Sequence, residues 1–98
     1  MNWSGTLAWR VEISATAGKQ IAKLDRQAQG AIVKFFRERI EPCDDPRQSG
    51  KALKGDKGEL WRYRVGDYRI ICQIRDVIVT ILVLRVGHRK DVYRRRHD

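Results

Sequence analysis

The residues best suited to chemistry stand in the C-terminal half of this 98-residue chain. Residues 60–65 read Leu-Trp-Arg-Tyr-Arg-Val, and residues 68–75 read Tyr-Arg-Ile-Ile-Cys-Gln-Ile-Arg. Alternate residues of a strand share a face. Trp61, Tyr63 and Val65 therefore turn one way, and Arg62 and Arg64 the other. In the second segment Tyr68, Ile70, Cys72 and Ile74 form the apolar face, with Arg69, Gln73 and Arg75 opposite. Arg62, Arg64 and Arg69 then project together from neighbouring strands, where like charges repel and cost stability. A surface that needed only solubility would mix signs. The plainer reading is a solvated basic face with snorkelling arginines. The sharper one is a grip for a polyanion, most readily RNA, in which guanidiniums stabilise charge developing on a phosphodiester.

A second cluster follows as Gly87-His88-Arg89-Lys90-Asp91-Val92-Tyr93. It is expected at a sheet edge near the arginine face. An unperturbed histidine titrates near neutrality, so His88 suits proton transfer. Tyr93 suits stacking on an exposed base. Taken singly, each is as readily a surface histidine and a packing aromatic, and the combination is what points to a site. Lys51, Lys54, Arg85 and Arg94 extend the set as candidate RNA contacts. The sequence contains no metal-ligand cluster, no phosphate loop of the P-loop type and no acidic pair poised for hydrolysis. An enzyme made of these parts would need no metal or other cofactor.

The elements that must carry these residues fit one domain, expected over residues 9–98 behind a flexible arm at residues 1–8. The net charge is +9, from 21 Lys and Arg against 12 Asp and Glu. Residues 51–98 hold 13 of the basic and 6 of the acidic side chains, so the positive field lies mainly in the second half. Such a field favours phosphate-rich partners or an acidic protein segment. Cys43 and Cys72 have no metal-site spacing; Cys72 sits inside an apolar pattern and reads as a core residue. The longest apolar run is far short of a membrane span, and the chain reads as cytoplasmic.

Residues 9–13 alternate as a half-buried strand. Ser14 or Thr16 can cap a helix carrying Ala17, Ile21 and Leu24. Asp25 can cap a second, with Ala28, Ile32, Phe35, Phe36 and Ile40 on its apolar side and Pro42 at its end. The charged residues on their far sides read as a solvated face. Residues 43–59 form a long loop. Three strands follow, joined by a Gly66-Asp67 turn of hairpin type and a turn at Asp76. The apolar run at residues 77–86 suits a central strand. The expectation is an α+β fold of order β-α-α-β-β-β, an antiparallel sheet with a helical hairpin on one face.

Three stretches together resemble the RelE branch of the RelE/ParE toxin superfamily: Lys51-Ala-Leu-Lys-Gly, Leu60-Trp-Arg-Tyr-Arg-Val-Gly-Asp-Tyr-Arg-Ile-Ile, and Arg85-Val-Gly-His-Arg-Lys-Asp-Val-Tyr. The resemblance runs from about Trp9 to Arg95. It implies a toxin of a type II toxin-antitoxin system, an mRNA interferase that enters the A site of the 70S ribosome and cuts mRNA there. The mRNA 2′-OH would attack the adjacent phosphate, leaving a 2′,3′-cyclic phosphate and a 5′-OH. It implies a RelB-like antitoxin partner that wraps the toxin and blocks it. Position by position, it places Arg62 and Arg64 on the first catalytic strand, Arg69 on the following hairpin, Arg89 after the last strand, and Tyr93 stacked on the base beside the scissile bond.

The best-known members carry lysines where Arg62 and Arg64 stand. A lysine can act as a base; an arginine effectively cannot. Arg62 and Arg64 are therefore expected to orient phosphate and stabilise charge, with His88 and Tyr93 as candidates for the base. Two other readings share the charge: a ParE-like toxin that inhibits DNA gyrase by binding, and a nucleic-acid-binding module without catalysis.

Overall fold

A computed structural model of the protein describes residues 9–53 and 59–88. The first strand, β1 (Arg10–Ile13), leads into helix α1 (Ala15–Ala22). Ser14 caps α1, its hydroxyl accepting from the Ala17 N–H at 3.0 Å. Asp25 caps α2 (Arg26–Phe35) in the same way, its carboxylate accepting from the Ala28 N–H at 2.7 Å. Each cap satisfies one of the donors that a helix start leaves without an intrahelical partner. Past Phe35 the helix widens into a π-helical turn, Phe36–Ile40, in which Glu41 N–H donates to the Phe36 carbonyl at 2.8 Å. Ile32, Phe36 and Ile40 stay in line across this change and are buried together.

A 3₁₀ turn (Pro46–Gln48) precedes β2 (Lys51–Ala52), β3 (Leu60–Val65), β4 (Tyr68–Arg75) and β5 (Thr80–His88). The sheet order is β1-β5-β4-β3-β2. The last three strands form the expected antiparallel meander. The sheet as a whole is mixed, because β1 lies parallel to β5, with Arg10 opposite Thr80 and Ile13 opposite Val83. The expectation of a purely antiparallel sheet is corrected at this edge. The helices intervene between β1 and the meander, so β1 need not pair with its sequence neighbour, and it takes the open side of β5.

The pairing of β1 stops at Ile13, and α1 takes over the rest of that edge. Ser14 hydroxyl donates to the Leu84 carbonyl at 3.1 Å, and Val86 N–H donates to the Gln20 side-chain oxygen at 2.6 Å. Leu84 is the residue skipped where the β4–β5 register slips between Ile71 and Cys72, as a bulge requires, and the cap of α1 takes up its carbonyl.

One core gathers Ala17 of α1, Ile32, Phe36 and Ile40 on the α2 side, and Tyr63, Ile70, Cys72, Ile74, Ile81, Val83 and Val86 of the sheet. Both helices therefore pack on the apolar face read from strand alternation. Cys72 is fully buried, and Cys43, half-buried, packs against the same cluster. Gly66 takes positive φ at the first central position of its two-residue turn, as expected for a hairpin of this length. The run at residues 77–86 is not all strand. Val77, Ile78 and Val79 lie in a wider turn at 96%, 58% and 42% exposure, and β5 begins at Thr80 opposite Arg75. The apolar run marked the strand, but the hairpin register fixed where it begins. No described helix is long and apolar enough to cross a membrane.

Candidate functional site

The strand register gathers the arginines. Arg64 stands directly opposite Arg69, and Arg69 in turn opposite Gly87. Two pairs along, on the same face, Lys51 of β2 stands opposite Arg62 of β3, which faces Ile71 of β4 and, beyond it, Arg85 of β5. Directly opposed side chains share a face, with Cβ atoms about 4.5–5.5 Å apart. Arg69 is buried at 6% exposure, Arg62 is half-buried and Arg64 is exposed. Gly87 has no side chain to compete with Arg69 for this space.

Of these residues, Lys51, Arg62, Arg64 and Arg69 line an open cleft of about 480 Å³. The sheet contributes Arg62, Tyr63, Arg64 and Arg69 to its lining, which we call the floor; the loop and β2 contribute Ser49, Gly50 and Lys51, the loop wall; and the helix side contributes Phe35 and Arg39, the helix wall. No carboxylate lines it among the described residues. β2 pairs only with Trp61 and Arg62, so among the described residues the outer edge of β3 carries no strand beyond that point. The cleft opens there and lets side chains from the helix side and from the arginine face meet around one space.

The loop wall is fixed to β3 by its own chemistry. Trp61 Nε1–H donates to the Ser49 carbonyl at 2.5 Å, and Tyr63 hydroxyl donates to the Pro46 carbonyl at 2.6 Å. Gly50 has φ +78°, and a Cβ there would run into the Arg62 carbonyl and come within 2.8 Å of Trp61 Nε1. Only glycine meets both demands. Arg47 lies 5.9 Å from the Trp61 ring centroid and forks onto Asp76 at 2.9 and 3.1 Å, tying the loop to the β4–β5 turn.

Burial holds the Tyr63 hydroxyl, and the Cys72 thiol likewise, far above their ordinary ranges. Desolvation, with Asp45 and Asp44 nearby, pushes the Cys43 thiol up as well. None of the three is a ready proton carrier or nucleophile at neutral pH. The cleft can bind and stabilise negative charge, and its arginines cannot exchange protons.

The structure brings Arg62, Arg64, Arg69 and Lys51 together. Arg85 stands in the same cross-strand row as Arg62 but does not line the cleft. His88, expected at the edge of the arginine face, is the last residue of β5 and stands opposite Tyr68, their rings meeting edge to face at 5.8 Å. By alternation that pair belongs with Ile70 and the helix side, one residue out of step with Arg69. Lys54, Arg89, Tyr93 and Arg94 lie outside the described residues. Arg39 and Phe35 were missed as site residues. Sequence spacing alone assigns Arg39 to the solvated helix surface and Phe35 to the core; their i, i+4 spacing, which places both on one side of a helix, is the signal that links them.

A family model described as the ParE toxin of the type II toxin-antitoxin system matches residues 11–93. The chain is 32% identical to Toxin RelG of Mycobacterium tuberculosis over 89 residues, covering 91% of this chain and all of that protein. The fold is similar to that in the crystal structure of the toxin-antitoxin complex RelBE2 from Mycobacterium tuberculosis, with TM-score 0.73 and 28% identity over 84% of this chain and 92% of the other. It is also similar to that in the archaeal RelE-RelB complex from Pyrococcus horikoshii, with TM-score 0.69 and 28% identity over 85% and 97%. With this fold, and with the family model spanning nearly the whole domain, the chain belongs to the RelE/ParE superfamily of toxins of type II toxin-antitoxin systems.

Proposed function

We propose that this toxin is a RelE-type endoribonuclease that cuts mRNA in the ribosomal A site. The observation that carries the reading is the cleft, in which Arg62, Arg64, Arg69 and Lys51 converge with no carboxylate among the described lining residues. In the reaction the 2′-oxygen forms a bond to phosphorus and the bond from phosphorus to the 5′-oxygen breaks. One proton leaves the 2′-OH and one arrives at the 5′-oxygen. Negative charge builds on the phosphate as this happens, and guanidiniums held in a fixed cluster stabilise it without reorganising.

The opposed Arg64–Arg69 pair suits that role best. The backbone of two strands holds it, and Arg69 is screened from water, so its charge acts strongly. Proton transfer falls to the remaining candidates, His88 and Tyr93. His88 lies off the cleft beside Tyr68, so Tyr93 is the stronger of the two. Arg89 completes the proposed catalytic set, and Lys54, Arg85 and Arg94 stay as proposed RNA contacts. Positioning of the 2′-OH by the ribosome supplies much of the remaining acceleration.

The relatives named individually are RelG and RelE toxins, which supports RNA cleavage over gyrase inhibition. The two solved relatives described above are a RelBE2 toxin-antitoxin complex and a RelE-RelB complex, which supports a RelB-like antitoxin as partner, and the net charge of +9 suits an acidic one. The place of action is then wherever ribosomes translate, the cytoplasm.

The test is end-mapping of mRNA in a reconstituted translation system. Arg69→Ala should lower cleavage at least a hundredfold, the scale of losing one charge-stabilising donor, with the thermal transition retained. Normal cleavage by that variant would sink the site assignment. Inhibition of gyrase supercoiling by the wild type, with mRNA left intact, would replace the reading with the ParE-like one.

A further inference from the structure

The cleft has two walls, and the proposed chemistry uses only its floor and the loop side. The helix wall consists of Phe35 and Arg39. Phe35 is the last α-helical residue of α2, and Arg39 lies in the π-helical turn that follows. Insertions of this kind are uncommon and concentrate at functional sites. Here the widened turn keeps Ile40 in the core and leaves Arg37, Glu38 and Arg39 exposed between Phe36 and Ile40. Arg37 and Glu38 border a separate shallow groove on the outer side of α2; Arg39 is the residue of the three that borders the arginine cleft.

Phe35 is anchored from behind. Its ring meets Phe36 edge to face at 5.2 Å and Tyr63 at 5.4 Å. It is half-buried, and the part that borders the cleft offers an apolar surface beside a cation. A cation next to a fixed aromatic is the pairing by which single-stranded nucleic acid is held, charge on the backbone and ring against sugar or base. Arg62 and Arg64 stand two residues apart on one strand, roughly 6.6 Å, so a strand of RNA laid along the floor has further phosphates within the reach of the walls.

We propose that Arg39 is a substrate-binding residue: from the helix wall it pairs with an mRNA backbone phosphate flanking the scissile one, with Phe35 supporting the adjoining nucleotide. This rests on the RNA-cleavage reading. Arg39 takes no part in bond making; it adds affinity by holding the strand from the helix side of the cleft that Lys51 borders from the loop side.

The experiment is single-turnover cleavage on programmed ribosomes with the full chain. Arg39→Ala should raise the half-saturating concentration about tenfold, the scale of one charge-assisted contact, with the maximal rate unchanged. Arg37→Ala, on the outer side of the same turn, should change neither. Arg39→Lys should recover part of the loss. The decisive arm uses mRNA whose phosphates beside the scissile one are replaced singly by neutral methylphosphonate. At one of them the wild type should weaken as much as Arg39→Ala does on ordinary mRNA, and Arg39→Ala should weaken no further. Additive losses at both positions, or equal losses for Arg37→Ala and Arg39→Ala, would overturn the assignment while leaving RNA cleavage intact. A wild-type chain that cuts no mRNA would overturn both.

Discussion

At the scale of single residues, the site depends on positions that do no chemistry. Gly50 lets the loop lie against β3 closely enough to place Lys51 opposite Arg62. Gly50→Ala forces an L-residue into a left-handed conformation, which costs about 1–2 kcal/mol, and sets its methyl group against the Arg62 backbone. The expected loss is about 2 kcal/mol or more, read as a fall in Tm of roughly 8 °C or more. A melting curve that overlays the wild type would show that the loop is not held as described. Arg69 makes the complementary point. Like charges directly opposed across a strand pair repel, so the Arg64–Arg69 pairing is not one that sheet stability alone would favour, and the proposed function gives it a reason.

At the scale of elements, two short connections do the positioning. The π-helical turn sets Arg39 on the cleft, and the 3₁₀ turn is tied to the β4–β5 hairpin by the Arg47–Asp76 fork. The hydrogen bonds from Arg47 hold the Asp76 carboxyl below its ordinary range. A group whose folded value is depressed stabilises the fold above its unfolded pKa, near 3.9, and loses that contribution as pH falls through the folded value. Asp76 is more than half exposed, so solvent screens the pair and its worth is under about 1 kcal/mol. Asp76→Asn should therefore lower denaturant stability slightly at pH 7, and the gap from wild type should close as pH falls below about 4. A gap that persists undiminished at pH 2–3 would mean that the fork is not its source.

At the scale of the whole molecule, the positive field is concentrated. Among the described residues five cations line one cleft, Arg39, Lys51, Arg62, Arg64 and Arg69. Each phosphate contact to a single strand contributes about −0.7 to the slope of log affinity against log salt. If all five pair with RNA phosphates, a fourfold rise in monovalent salt should weaken ribosomal engagement roughly a hundredfold. Each of these side chains replaced by alanine should flatten that slope by about 0.7. Titrating half-saturation against salt measures it directly. A slope near zero would show that the cleft does not meet phosphate.

The sequence by itself determined the alternation that separates the arginine face from the core face, the Asp25 cap, the Gly66-Asp67 hairpin and the burial of Cys72, and it narrowed the first cap to Ser14 or Thr16. Each follows from residue spacing or from a local hydrogen bond, which needs only near neighbours. Its motifs also carried the superfamily. What only the tertiary structure decided depends on contacts between residues far apart in the chain. The parallel seat of β1 on β5 follows from which edge stayed open after the meander formed. The true start of β5 at Thr80 follows from its register with Arg75. His88 leaves the arginine face because pairing with Tyr68 fixes its phase in the ladder. Arg39 joins the cleft because α2 packs beside an edge of β3 that β2 leaves open. Periodicity assigns a side chain to a face of its own element; which faces then share one space is settled only when the elements pack.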